Sequence, residues 1–273
     1  MRELQDKVAV VTGAASGIGR ATALQFAREG MDLSLADVDE AGMERAAEEI
    51  RSLGRRCIAV PTDVSSKADV EGLLARTLEQ LGRCDLVFNN AGIMHAGALL
   101  DASDEDWQRI IDIDLWGVIH GCRVFGAHFV AQGHGHIVNT ASTAGLFGVP
   151  GLGIYSVAKF GVVGLSRTLR FELASKGVGV TVLCPGMVRT NLPASGGFDA
   201  ANTLEFMKAA ASAEGLALRV VKAVRRDRGQ VLYGREAYIL TAMLRLPSGI
   251  LDRLGRMFAD RALPEINNRF DRQ

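Results

Sequence analysis

The chain has 273 residues, 48% of them hydrophobic, which is enough to bury a substantial core within one α/β domain. Lysine plus arginine and aspartate plus glutamate each total 31, so the formal charge is zero and nothing points to nucleic acid. Cys57, Cys84, Cys122 and Cys184 form no CxxC pair or disulfide framework, and no apolar run could act as a signal or span a bilayer. These exclusions leave a cytoplasmic protein with reduced thiols and no metal site as the expectation.

In chain order, short β-branched runs alternate with longer helical patterns. Strands are predicted at 7–11, 32–36, 57–60, 85–88, 135–140, 178–184 and 230–233, and helices at 17–29, 39–52, 66–81, 103–131, 154–176 and 214–226. That alternation is the mark of βαβ units. The predicted fold is therefore α/β: a Rossmann-like, doubly wound parallel sheet with helices on both faces, in a single domain over 1–273. Residues 191–215, rich in Ala, Gly and Ser, and a helical extension over 235–273 depart from the rhythm.

Ligands of open parallel sheets bind outside the carboxyl ends of the strands, so polar residues just past each strand are the site candidates. After the first strand, Thr12 and Gly13 lead to Ser16, Gly17, Ile18 and Gly19, a TGxxxGxG turn opening a helix. Its glycines let the backbone approach a pyrophosphate at the helix N-terminus, although a strand-to-helix turn alone can be purely structural. The second strand ends at Asp37, whose carboxylate can accept from adenosine ribose hydroxyls and would repel a 2′-phosphate. Neither Ser16 nor Val38 is basic, which favours NAD over NADP as cofactor. The other reading of Asp37 is a residue that merely opens a turn. Asp63 and Val64 follow the third strand, and Asn90, Ala91 and Gly92 follow the fourth, on the same edge.

The fifth strand leads to Ser142, and Tyr155 and Lys159 then share one helical face at i,i+4 spacing. A free phenol, with a pKa near 10, is too weakly acidic for general-base work at neutral pH. A fixed cation beside it is expected to lower that value.

This ordered set, with Pro185, Gly186, Met187, Val188 and Thr190 after the sixth strand, resembles the short-chain dehydrogenase/reductase family from Lys7 to about Gly234. The resemblance implies that Tyr155 exchanges a proton, Ser142 orients the substrate oxygen, and Lys159 tunes Tyr155 and holds the nicotinamide ribose. It assigns Asn90 to the cofactor's ribose side, Asp63 and Val64 to the adenine, and Val188 and Thr190 to the carboxamide. It further implies a homodimer or homotetramer built through 103–131 and 154–176, and a substrate loop over 191–215.

One position departs from the family pattern: Asp114 stands where the family usually carries an asparagine that helps hold a water near the lysine. Ile110, Asp114 and Val118 form a stripe expected to be buried, and a buried carboxylate needs a partner. Asp114 is expected to keep the relay and hold Lys159 protonated. Leu146 and Met187, with Met94 and other apolar residues, suggest a pocket for a hydrophobic secondary alcohol or ketone that is steroid-like, terpenoid-like or alicyclic. The alternatives are a 3-oxoacyl-thioester reductase and a non-catalytic dinucleotide sensor. The apolar stripe of the extension reads as core or subunit interface, as a substrate cover, or as a peripheral membrane contact.

Overall fold

Seven parallel strands form one sheet in the order β3-β2-β1-β4-β5-β6-β7 in this computed structural model, which describes residues 1–192 and 210–262. The strands are β1 (Val8–Thr12), β2 (Asp32–Asp37), β3 (Cys57–Pro61), β4 (Leu86–Asn89), β5 (Gly135–Thr140), β6 (Val178–Pro185) and β7 (Gln230–Tyr233). The helices are α1 (Gly17–Arg28), α2 (Glu40–Ser52), α3 (Lys67–Leu81), α4 (Asp104–Ile111), α5 (Gly117–Gln132), α6 (Gly153–Glu172), α7 (Ala213–Arg225), α8 (Arg235–Met243) and α9 (Ser248–Ala262). Most of the expected loop at 191–215 and the end of the extension lie outside the described residues.

Two apolar cores explain why both faces are covered. Along β1, Ala9 and Val11 enter a core shared with Phe26 of α1, Ile50 of α2 and Leu216 of α7. Val10 points the other way, into a core shared with Leu73 of α3, Phe125 of α5 and Val162 of α6. Alternate side chains of a strand face opposite sides, so a strand apolar at every position requires helices on both. The fold expectation holds. The chain reverses its winding between β1 and β4, and the carboxyl ends of those strands frame the crevice described below.

The predicted helix over 103–131 is interrupted. It divides into α4, a π-turn at Asp112–Trp116 and α5. Ser103 and Asp106 cap the start of α4 with a reciprocal capping box. Within the π-turn the wider winding keeps Asp114 wholly buried between Ile110 and Val118, and Gly117 then packs directly on Val64. The helix expected at 154–176 likewise ends early, at Glu172, and a short 3-10 turn (Ala174–Lys176) leads to Gly177 in the left-handed region at φ 72°. Among the described residues no helix is long and apolar enough to cross a membrane.

Candidate active site

The turn after β1 is pressed against the strand end of β4. Gly13 adopts φ +64°, and a Cβ there would stand 2.8 Å from the Ala91 Cα, so a side chain would have nowhere to go. A Cβ on Gly19 would collide with the Gly13 carbonyl. Asn90 stitches the two elements together: its Nδ2 donates to the Thr12 carbonyl at 3.1 Å and its backbone N–H donates to Thr12 Oγ1 at 2.9 Å. Ser16 precedes α1 without capping it through its side chain. The result is a shallow cradle of backbone at a helix N-terminus, the geometry that receives phosphate.

At one end of this cradle, both carboxylate oxygens of Asp37 are held by backbone. Oδ2 accepts from Ala15 N at 2.9 Å and Oδ1 from Asp39 N at 3.0 Å, which fixes the side chain while leaving further lone pairs toward the crevice. A cavity of about 360 Å³ runs from Asp37 and Val38, past Asp63, Val64, Gly13, Ser16, Gly17 and Ile18, to Asn90, Ala91 and Gly92. It ends at Asp114, Tyr155 and Lys159, with Thr190, Asn191 and Leu192 on the far wall. Among the described residues Lys159 is the one cationic side chain in that lining. The elongated crevice, its glycine-crowded floor and the acid at one end fit a dinucleotide.

At the other end of the cavity, Tyr155 and Lys159 lie one turn apart on α6, with Lys159 Nζ 5.4 Å from the phenol ring centroid. Lys159 Nζ also donates to the Thr140 carbonyl at 3.2 Å and lies 2.9 Å from Asp114 Oδ2. Asp114 Oδ1 accepts from Ile93 N at 2.8 Å. The ammonium meets Oδ2 outside hydrogen-bond geometry, so this buried oxygen forms an ion pair but has no well-aligned donor. Ser142 Oγ accepts from Ala144 N at 3.1 Å, which leaves its O–H free, and its side chain is near enough to Tyr155 to draw the phenol down.

Burial dominates the electrostatics. It pushes the Tyr155 phenol above its ordinary value; Lys159 and the Ser142 hydrogen bond pull it down, while Asp114 pushes it up again. The expectation that Lys159 would leave the phenol more acidic than usual is therefore corrected for the free chain: the ammonium acts as foreseen, but desolvation and the carboxylate outweigh it. Burial also opposes the charge on Lys159, yet Asp114 and Tyr155 together hold the ammonium above its ordinary value. Burial raises Asp114 in turn, against the pull of Lys159 and the Ile93 N–H. The Ile93 N–H directed at Oδ1 and the ammonium 2.9 Å from Oδ2 are consistent with a carboxylate facing an ammonium.

Not every expected residue lies on this cavity. Val188 is buried and bridged to Ala211, Pro185 ends β6, and Gly186 and Met187 follow it; none of the four lines the cavity. Leu146 packs on the core of α5 and α6, so the structure does not place it with Tyr155 as a substrate contact. Met94, Ala144, Val149, Leu152 and Leu192 surround Tyr155 instead. His95 lies 3.6 Å from Asp106, at the capping box of α4. Ile93 and Thr140, whose backbone groups hold Asp114 and Lys159, carry no signature in the sequence, because any residue type supplies an amide or a carbonyl.

Comparison with known proteins bears on this geometry. The family model described as short chain dehydrogenase matches residues 7–197. The SadH protein of Mycobacterium tuberculosis, named an oxidoreductase, is 36% identical over 263 residues, covering 93% of this chain and 95% of its own length. EphD of the same species, also named an oxidoreductase, is 43% identical over 201 residues, 73% of this chain, but the chain spans only 34% of the length of EphD. Among solved structures, a short chain dehydrogenase/reductase from Burkholderia phymatum in complex with NAD is 36% identical, with a TM-score of 0.84 over 93% of this chain and 97% of that one. The chain belongs to the short-chain dehydrogenase/reductase family of oxidoreductases.

Proposed function

We propose that this chain is an NAD-dependent dehydrogenase that oxidises a hydrophobic secondary alcohol to a ketone, with Tyr155 as the general base and, in the reverse direction, the general acid. The observation that carries the reading is the convergence of Tyr155, Lys159 and Asp114 at one end of a crevice that ends at Asp37. A bound nicotinamide ring supplies the acceptor for the hydride that leaves the carbinol carbon. The chain's own residues manage the proton. The Tyr155 oxygen takes it from the carbinol O–H as the carbonyl forms, the Ser142 hydroxyl donates to the oxygen on which charge develops, and Lys159 stabilises the phenolate. Because burial holds the free phenol protonated, oxidation is favoured as pH rises and reduction as it falls.

The choice of NAD rests on Asp37, fixed by two backbone amides and flanked at the crevice by exposed Val38 and by Ser16 rather than by a cation. A 2′-phosphate there would meet a carboxylate with no countercharge. The apolar cluster of Met94, Ala144, Val149, Leu152 and Leu192 around Tyr155 supports an alicyclic, terpenoid-like or steroid-like substrate. A panel of secondary alcohols assayed with NAD and with NADP, followed by nicotinamide absorbance, tests both choices. Tyr155→Phe should lose turnover by about 10²–10⁴-fold while still binding cofactor. Undiminished turnover in that variant, or a preference for NADP, would overturn the reading.

The same reading carries a homodimer or homotetramer built through α5 and α6. Trp116, Val157 and Phe160 leave apolar surface exposed at the start of α5 and along α6. Sedimentation of the native chain should give at least twice the monomer mass, and a monomer at micromolar concentration would refute this.

A further inference from the structure

α8 belongs to the extension beyond β7, and its second residue reaches back into the cofactor end of the sheet. Glu236 Oε1 accepts from the Met187 N–H at 2.7 Å. The carboxylate fits a niche that two glycines make: a Cβ on Gly186 would stand 2.6 Å from Glu236 Cγ, and one on Gly234 would stand 2.8 Å from Oε1. Among the described residues no lysine or arginine forms an ion pair with Glu236. Its charge is compensated by the Met187 amide and by the first turn of α8, where a carboxylate is favourable.

Met187 is held from the other side as well. Its carbonyl accepts from Ala211 N at 2.9 Å, and Ala211 returns a bond by accepting from Arg189 N at 2.8 Å. Gly186 N donates to the Tyr233 carbonyl at 2.8 Å. Residues 186–189 are thus clamped between the root of the extension and the segment leading into α7. Directly after this clamp Thr190 stands over the glycine turn, where its Cγ2 would lie 3.0 Å from a Cβ on Gly17, and it lines the crevice.

We propose that Glu236 is a positioning residue for the nicotinamide end of the cofactor. By holding the Met187 peptide it sets the backbone that carries Val188 and Thr190, and so the extension contributes to the cofactor site and does more than cover a surface. This rests on the dinucleotide reading above. A charge-assisted hydrogen bond to a half-buried amide is directional, and its loss frees the peptide to rotate. Only the nicotinamide half of the ligand should sense that freedom, because the adenosine half rests on Asp37 and the glycine turn.

The test is equilibrium binding of NADH and of ADP-ribose, which lacks the nicotinamide ring, to the full chain. Glu236→Ala should weaken NADH by about tenfold, the loss of one hydrogen bond to a charged group. It should leave ADP-ribose within about twofold of the wild type. Glu236→Gln, whose amide oxygen can accept the same N–H, should restore most of the NADH affinity. Should Glu236→Ala fail to fold, Glu236→Asp, one methylene too short, must show the same selective loss. Equal weakening of both ligands, no weakening of either, or no rescue by glutamine overturns the assignment while leaving the dinucleotide reading intact. A wild-type chain that takes neither ligand sinks both.

Discussion

Asp114 and Lys159 face each other across 2.9 Å in a place where burial opposes the charge on both, and the phenol beside them feels both. Asparagine at 114 removes the charge and keeps the shape: its oxygen can accept from Ile93 N, but its NH2 then takes the place of Oδ2 before the ammonium. Without the carboxylate, the field that lifts both Tyr155 and Lys159 is gone. In Asp114→Asn the rising limb of kcat/KM against pH for alcohol oxidation should therefore move to lower pH. An unchanged profile would refute this role. His136 gives a second pH dependence, away from the site. Thr181 Oγ1 donates to the Arg228 carbonyl at 2.7 Å, so it must accept from His136 Nε2–H at 2.8 Å, which leaves Nδ1 bare, buried and unpaired. Burial pushes this imidazole down to about 3 from an ordinary 6.5. The native state keeps it neutral while the unfolded chain takes up the proton, so its contribution is complete above pH 6.5 and fades as pH falls toward 3. At pH 5 the loss is about 2 kcal/mol. Urea unfolding at pH 7 and pH 5 should show the wild type losing that much more than His136→Gln, and equal losses would count against it. At this scale the Tyr155 and Lys159 pairing was legible, since i,i+4 spacing fixes neighbours on one helix. The proximity of Asp114 to Lys159 was expected only through the family resemblance, and the partner of His136 was not legible at all, because each contact joins elements far apart in sequence.

Among the elements, the π-turn at Asp112–Trp116 had no local signal: its residues read as ordinary helix, and the turn packs against α6, far away in sequence. Glu236 escaped notice for a similar reason, since an acid in the first turn of a helix needs no further explanation. Helix starts were more legible, because Asp39, Ser66 and Ser103 each accept a backbone N–H within their own turn. The 3-10 turn Thr143–Gly145, just after Ser142, shows how tightly elements are set at the site. A Cβ on Gly145 would stand 2.5 Å from the Lys159 carbonyl, so the turn and α6 would have to part. Gly145→Ala should cost about 1–3 kcal/mol in stability. By displacing Ser142 from Tyr155 it should also lower kcat by at least about tenfold. Gly148→Ala, with open space around it, is the control and should change neither. Thermal melting and steady-state rates check both variants, and a Gly145→Ala enzyme indistinguishable from its control would contradict the packing described.

For the whole molecule, the sheet was the most legible level. Its central strands are buried on both faces, so they appear as continuous β-branched runs, and punctuation by glycine marks where the helices between them stop. What the chain acts on is written more faintly, because an apolar pocket is made of the same residue types as a core. Leu146 illustrates this: it lies close in sequence to Val149 and Leu152, yet it packs on the core that α5 and α6 share with the sheet, while they pack around Tyr155. The same thorough burial reaches all four sulfhydryls, which are free. Desolvation pushes Cys57, Cys122 and Cys184 up to about 12 and Cys84 higher still, so none offers a thiolate to an alkylating reagent while the chain is folded. The chain thus carries its own stopwatch for breathing. Cys57 sits on the edge strand β3, Cys84 just before β4, Cys122 on α5 and Cys184 on β6, so the order in which they become modifiable would record which part of the fold opens first.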